Sequence, residues 1–316
     1  MSNNEANKVK AAARLVRLPN LFIVAGTQYL LYYGLLIPEI SRFSIDPILE
    51  GIHFSLFVLV TVLITASGNI INDLTDHSID LINRPNRVVV GRIWSPESVH
   101  RVYWSINLLG AVIACYLAFH VQQPLLVLIY PAAVGLLVLY STHLKKKALW
   151  GNLLVSLFCA GVAGIIWFAE RKAIGELRQL APESAQMIRS IILWYMVFAF
   201  CSTLYREIIK DIEDVQGDRT AHSRTLPLLV GMSNAKKVAG AVAVMLLAFV
   251  AWMAVVERTL FSVQHLCGLI IFVVLPLVYS LYYLIIARQK QQFHRLSRLA
   301  KLIMLGGLLL LLMLVF

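Results

Sequence analysis

Phe54-Ser-Leu-Phe-Val-Leu-Val-Thr-Val-Leu-Ile-Thr-Ala-Ser-Gly-Asn-Ile-Ile71 contains no charged side chain and runs directly into Asn72-Asp73-Leu74-Thr75-Asp76-His77-Ser78-Ile79-Asp80. A helix needs roughly 20 mostly apolar residues to cross the hydrocarbon core of a bilayer. Comparable stretches recur near 20–37, 101–119, 124–142, 150–168, 190–206, 238–256, 265–287 and 299–316. They are continuous rather than alternating, which speaks against a transmembrane β-barrel. The whole chain of 316 residues is 59% hydrophobic and 14% charged, with a mean hydropathy of +0.76. A soluble domain is about a quarter charged. These features predict an all-α, polytopic integral membrane protein of about nine transmembrane helices, with residues 1–316 forming one domain.

The net charge of +11 raises the question of nucleic acid. With nine spans and an inner N-terminus, however, 22 of the 28 Lys and Arg residues fall on inner segments. Only Arg42, Arg171, Lys172, Arg178, Arg189 and Arg258 fall outside. Positive charge concentrates on the cytoplasmic side of membrane proteins, so the basic excess needs no nucleic acid. The expected location is the cell membrane, the inner one in a prokaryote, with the N-terminus in the cytoplasm. Residues 1–17 are polar and basic, and the apolar stretch after Pro19-Asn20 has no small-residue cleavage site, unlike a signal peptide. Cys115, Cys159, Cys201 and Cys267 are widely spaced inside apolar segments and read as small buried hydrophobes.

Two polar runs carry the chemistry. One follows the second span; the other reads Tyr205-Arg206-Glu207, then Asp211-Ile212-Glu213-Asp214-Val215-Gln216-Gly217-Asp218-Arg219. Both contain Asp-x-x-Asp-x-x-x-Asp, and positions 73, 76 and 80 become 211, 214 and 218 on adding 138. Four spans separate the runs, so both are expected on the cytoplasmic face. On a helix, residues three and four apart share a side. Asn72, Asp76 and Asp80 then form one stripe, and Glu207, Asp211, Asp214 and Asp218 another. Like charges crowded in this way repel unless a cation sits among them. Carboxylate oxygens suit a hard ion, and magnesium binds through one or two carboxylates plus substrate phosphates. Two such clusters suggest Mg2+ and a polyphosphate. Solvated loop charge would explain one acidic run, but not two of equal spacing at one face of a charge-poor chain.

Candidate grips for phosphate oxygens lie on the same side: Arg84, Arg87, Lys145, Lys146, Arg206 and Lys210. The competing explanation is positive charge facing lipid headgroups, which we assign to Lys147 and the basic tail 288–301. Among polar residues in apolar surroundings, Asn69 reads as helix-packing glue. Asn20 and Tyr140 stand at the cytoplasmic ends of their spans, where a headgroup pocket would open. His77 and His143 lack a second His at ligand spacing and read as interfacial contacts. Tyr29, Tyr32, Tyr33, Trp167, Tyr195 and Phe198 read as packing, with ring faces able to steady a carbocation where they line a cavity.

The chain resembles the UbiA superfamily of intramembrane prenyltransferases. The resemblance rests on Arg17-Leu-Pro-Asn20, on Asn72-Asp-x-x-Asp76-x-x-x-Asp80-x-x-Asn83-Arg84-Pro85, on Tyr140 with Lys145, on Tyr205 through Asp218, and on Arg224-Thr-Leu-Pro227. It implies a helical bundle around a central cavity that opens to lipid, with both Asp motifs at its cytoplasmic end. It also implies that Asn72, Asp76, Asp80, Asp211, Asp214 and Asp218 bind magnesium and diphosphate, that Lys145 and Arg206 hold the diphosphate, and that Asn20 and Tyr140 lie near the reacting carbon. The second motif is worded most like the geranylgeranylglycerol-phosphate and the chlorophyll or homogentisate branches, and less like the 4-hydroxybenzoate branch. Gln216 departs from an acid common in those relatives.

The expected reaction is Mg2+-dependent transfer of a prenyl group from an isoprenoid diphosphate to a lipophilic acceptor, with geranylgeranylglycerol phosphate as the candidate and an aromatic acceptor (homogentisate, 4-hydroxybenzoate or a quinone precursor) as the alternative. A glycerol phosphate acceptor would need an extra cationic pocket and an aromatic acceptor an apolar slot. Two other classes compete: a membrane terpene cyclase, which needs no acceptor, and a cation-carrying transporter, which calls for acids deep within the spans.

Overall fold

In hydrocarbon every backbone N–H and C=O must find its partner within the protein, which leaves helices as the form for long apolar segments. The computed structural model describes residues 3–83, 88–258 and 261–315. Its helices in chain order are α1 (Asn3–Leu15), α2 (Leu18–Arg42), α3 (Ile52–Thr75), α4 (His77–Asn83), α5 (Pro96–His120) and α6 (Pro124–Lys146). They continue with α7 (Trp150–Ala169), α8 (Arg171–Leu180), α9 (Pro182–Thr220), α10 (Leu226–Val256), α11 (Val263–Ile286) and α12 (Lys290–Val315). Among the described residues, nine of these are long and apolar enough to cross a membrane; the short α1, α4 and α8 are the others. The expected all-α class with nine spans is met, and each expected span lies within one of these helices or overruns its end by a residue. Arg84 and Arg87 lie outside the described residues.

The helices overrun their apolar windows because hydropathy reports the lipid thickness, not where the backbone ladder stops. The sixth span, expected at 190–206, belongs to a helix of 39 residues. At 1.5 Å per residue that is about 58 Å, against a hydrocarbon core of about 30 Å.

Contacts divide the chain into two compact units, Met1–Gly26 with Ile48–Lys146, and Thr27–Pro47 with Lys147–Phe316. In the first, α3 packs on α5 and α6. A small apolar cluster including Ala11, Leu15, Ile70 and Tyr103 brings α1 onto α3 and α5. The interior of these helices is tied by a polar network in which Ser67 donates to Asn107 Oδ1 (3.0 Å) and Tyr130 donates to the same oxygen (3.4 Å). Between apolar helices such bonds supply specificity that apolar burial alone cannot.

In the second unit α9 is the central helix, packing on α7, α10 and α12. Its Ile208 and Ile209 join Ala239, Leu246, Leu277 and Leu296 in the core. Ala235, Ala239 and Ala243 recur every fourth residue and are fully buried, so α10 presents a smooth strip that lets neighbouring backbones approach. Helices α2 and α11 each contain a wider π-helical segment, Leu30–Leu36 and Ile270–Val274, just before Pro38 and Pro276. Proline has no N–H and its ring clashes with the carbonyl four residues back, which accounts for the local widening.

Candidate active site

The first acidic motif does not form a continuous helical stripe. Helix α3 ends at Thr75, Asp76 takes φ −95° and ψ 4° at its C-cap, and α4 restarts at His77. Asp76, His77 and Ser78 are poor helix-interior residues in succession, and Asp and Ser side chains compete for backbone bonds. The single stripe expected for Asn72, Asp76 and Asp80 is therefore broken at Asp76. Backbone bonds still carry the chain round the bend, from Asp76 N–H to Asn72 O (2.9 Å) and from Asp80 N–H to Asp76 O (2.8 Å).

The last turn of α3 meets the end of α6. Lys145 sits in the 3-10 turn Leu144–Lys146. Its ammonium lies 2.6 Å from Asp76 Oδ1 and donates to Thr75 Oγ1 at 2.7 Å and to Asn72 Oδ1 at 3.5 Å. Thr75 can accept this bond because its hydroxyl hydrogen is given to the Ile71 and Asn72 carbonyls. Asp73 is held by Arg17, which, in the left-handed conformation at φ 54°, reaches its Oδ1 with Nη2 at 3.0 Å. The shared spacing thus includes an aspartate paired with an arginine of the preceding segment. Asn69 donates to Val16 O (3.0 Å), which is the packing role expected of it. Asn20 is half-buried in the first turn of α2, Tyr140 is half-buried near the end of α6, and Lys146 is exposed.

The second motif lies wholly on α9, so its residues share a helix as expected. Glu207, buried to 7% exposure, pairs with Arg206 and stands 3.8 Å from Lys210 Nζ. Both expected phosphate grips on this helix are thus oriented by one buried acid. Asp211 Oδ2 accepts a bond of 2.9 Å from Asn152 Nδ2, in the first turn of α7. Glu213, also buried, accepts from or pairs with His294 Nδ1 of α12 at 2.8 Å. Asp214 and Asp218 are half-buried on the same helix.

Thr75, Asn152 and His294 were not singled out in the sequence. Asn152 gave the same signal as Asn69, a polar amide inside an apolar span. His294 lies within the basic tail 288–301 but turns inward to the second motif. Replacing Asn152 with alanine frees Asp211, which the sequence reading expects to bind magnesium, to rotate, and removing a residue that orients a metal-binding side chain typically costs about 10–100-fold. The expected loss is of that size and is read as a raised Mg2+ concentration for half-maximal transfer, with glutamine at the same position tested for partial rescue.

Phe198 and Tyr195 do line an apolar cavity, with Trp194, Phe249, Met253 and Gly307. At 100° per residue, Phe198 lies about 140° around α9 from Asp211, so this cavity is on the far side of the helix from the acids. Tyr32 is fully buried and donates to Glu170 (3.3 Å), whereas Tyr29 and Tyr33 are partly exposed.

Among the described residues no three His, Cys, Asp or Glu side chains converge closely enough to hold a metal by themselves. The donor set fits magnesium nonetheless. It is made of oxygens, it already encloses one cation, the Lys145 ammonium, and magnesium ordinarily completes its shell with water and substrate phosphate rather than an all-protein cage.

Residues 30–311 match the model of the UbiA prenyltransferase family. The chain belongs to that family. It is an integral membrane prenyltransferase, as the motifs and spans led one to expect. It is 30% identical over 244 residues to the digeranylgeranylglyceryl phosphate synthase of Methanosphaera stadtmanae, covering 76% of this chain and 80% of that protein. In fold this UbiA prenyltransferase is similar to a chain solved in a study of digeranylgeranylglyceryl phosphate synthase in membranes, with a TM-score of 0.63 at 21% identity over 98% and 99% of the two chains. It is also similar to a UbiA homolog from Archaeoglobus fulgidus solved with DMAPP and Mg2+, with a TM-score of 0.50 at 16% identity over 95% and 98%.

Proposed function

We propose that this prenyltransferase acts as one domain over residues 1–316 and moves a geranylgeranyl group from its diphosphate to geranylgeranylglyceryl phosphate, with magnesium. The observation that carries the diphosphate chemistry is the ring of Asn72, Thr75 and Asp76 oxygens around Lys145. The acceptor is supported by the name of the relative aligned over most of both chains.

Asn72, Asp76 and Asp80 in one unit, and Asp211, Asp214 and Asp218 in the other, are the residues that would hold magnesium. When bound, magnesium neutralises charge that develops on the leaving diphosphate. Lys145 and Arg206 bind nonbridging phosphate oxygens, with Lys146, Lys210, Arg84 and Arg87 as further cationic contacts. Glu207 orients Arg206 and Lys210 for this task, and Asn152 orients Asp211. Asn20 and Tyr140 adjoin the reacting carbon. The allylic C–O bond breaks, the acceptor oxygen bonds to that carbon, and the acceptor hydroxyl loses its proton. The apolar spans keep water from competing for the cation. The charge asymmetry of the chain supports a cytoplasmic position for the N-terminus and both motifs.

Purified enzyme given labelled geranylgeranyl diphosphate should yield digeranylgeranylglyceryl phosphate by mass spectrometry when geranylgeranylglyceryl phosphate is added, and no product in chelator. Prenylation of homogentisate or 4-hydroxybenzoate, with none of the glyceryl phosphate, would reject this acceptor.

A further inference from the structure

The oxygens at the end of α3 serve a cation already. Asp76 Oδ1, Thr75 Oγ1 and Asn72 Oδ1 surround the Lys145 ammonium at 2.6, 2.7 and 3.5 Å, and the Lys145 side chain is only 11% exposed. Asn72 and Asp76 are also the first motif's metal-binding positions. An ion of magnesium's size lies about 2.1 Å from each oxygen it binds. It would therefore stand almost where the ammonium stands, and two cations cannot share that position.

We propose that the first acidic motif is self-occupied: in the substrate-free enzyme the Lys145 ammonium fills its cation position, and yields it to magnesium only when a diphosphate arrives to receive the ammonium. The inference rests on the magnesium-diphosphate reading above and adds an order of events to it. Lysine suits the task because its charge is a compact ammonium on four flexible methylenes, able to swing by several ångströms without backbone movement. The exchange keeps the acids neutralised at both stages, by the ammonium before substrate and by the metal after. Asp211 in the second motif is steadied by the neutral amide of Asn152, which does not compete with a metal. Metal binding at the first motif is therefore coupled to diphosphate, whereas Asp211 can take part in metal binding beforehand.

The test measures Mn2+ binding to the full chain in detergent by electron paramagnetic resonance, with and without inorganic pyrophosphate. Without pyrophosphate, Lys145→Gln should bind Mn2+ at least tenfold tighter than wild type, and adding Asp76→Asn to that chain should abolish the gain. Lys145→Arg keeps a cation beside Asp76 and should bind as weakly as wild type. Lys145→Met, with a stem of similar length and no charge, repeats the gain if the glutamine variant does not fold. Wild-type protein should acquire the additional ion only with pyrophosphate. The proposal is overturned if the uncharged variants, free of pyrophosphate, bind Mn2+ no more tightly than wild type and Lys145→Arg. Absence of any Asp76-dependent Mn2+ binding even with pyrophosphate overturns the metal-diphosphate reading itself, and the exchange with it.

Discussion

Alanine at Asp76, or at Asp214, is expected to lower prenyl transfer by about 10²–10³-fold, the size seen when one preorganised charge-stabilising group is lost from an active site. In free energy that is roughly 3–4 kcal/mol of transition-state stabilisation. At Asp76 the change removes the oxygen 2.6 Å from Lys145 Nζ, a carboxylate proposed to face magnesium once diphosphate has drawn the lysine away. At Asp214 it removes a carboxylate from the middle of the α9 stripe while Glu207, Arg206 and Lys210 stay paired. The measurement is initial rate across a Mg2+ titration, with helicity checked by circular dichroism. Asparagine at either position retains an oxygen but loses the charge, and should fall between alanine and wild type. Undiminished transfer in both alanine variants would remove the acids from the chemistry.

The largest stability effect is expected at Gly306, in the span α12. A Cβ there would lie 2.1 Å from the backbone carbonyl oxygen of Phe272. That carbonyl belongs to the π-helical segment of α11, four residues before Pro276, whose ring displaces it. A side-chain atom could rotate away from the new methyl group, but a carbonyl inside a packed helix cannot. Gly306→Ala should therefore cost about 2–4 kcal/mol, at the upper end for an overpacked interior. It should appear as a clear drop in the thermal midpoint in detergent. Gly161 on α7 is the control, because a Cβ there meets nothing within 4 Å. Gly161→Ala gains helix propensity worth up to about 1 kcal/mol and should leave the midpoint unchanged or raise it.

The same contrast runs through the site. The sequence singled out both Asp76 and Lys145 as candidate site residues, one from acidic spacing and the other from its neighbours and the family resemblance. Their bond was not recognisable, since Asp76 and Lys145 are 69 positions apart. Asp73 carries the motif's spacing as well as Asp76 does, and nothing in that spacing foretold its pairing with Arg17. Thr75 shows no signal in one dimension, because a threonine near a helix end is ordinary until a lysine arrives beside it. Lys210 and Arg206 read as candidate phosphate grips, while the structure pairs Arg206 with Glu207 and sets Lys210 Nζ 3.8 Å from the same acid.

What the sequence alone determined was everything imposed by the solvent and the local backbone. Lipid forces each long apolar run into a helix, so the nine spans and the all-α class follow from composition. Spacings of three and four place the second motif on one side of α9, as expected from its sequence. Tertiary structure decided where α3 breaks, which oxygens gather around Lys145, which amide steadies Asp211, and where α12 passes close enough to require glycine. Each of these depends on residues far apart in the chain meeting at distances of about 3 Å, and such meetings are fixed by helix packing rather than by any local pattern.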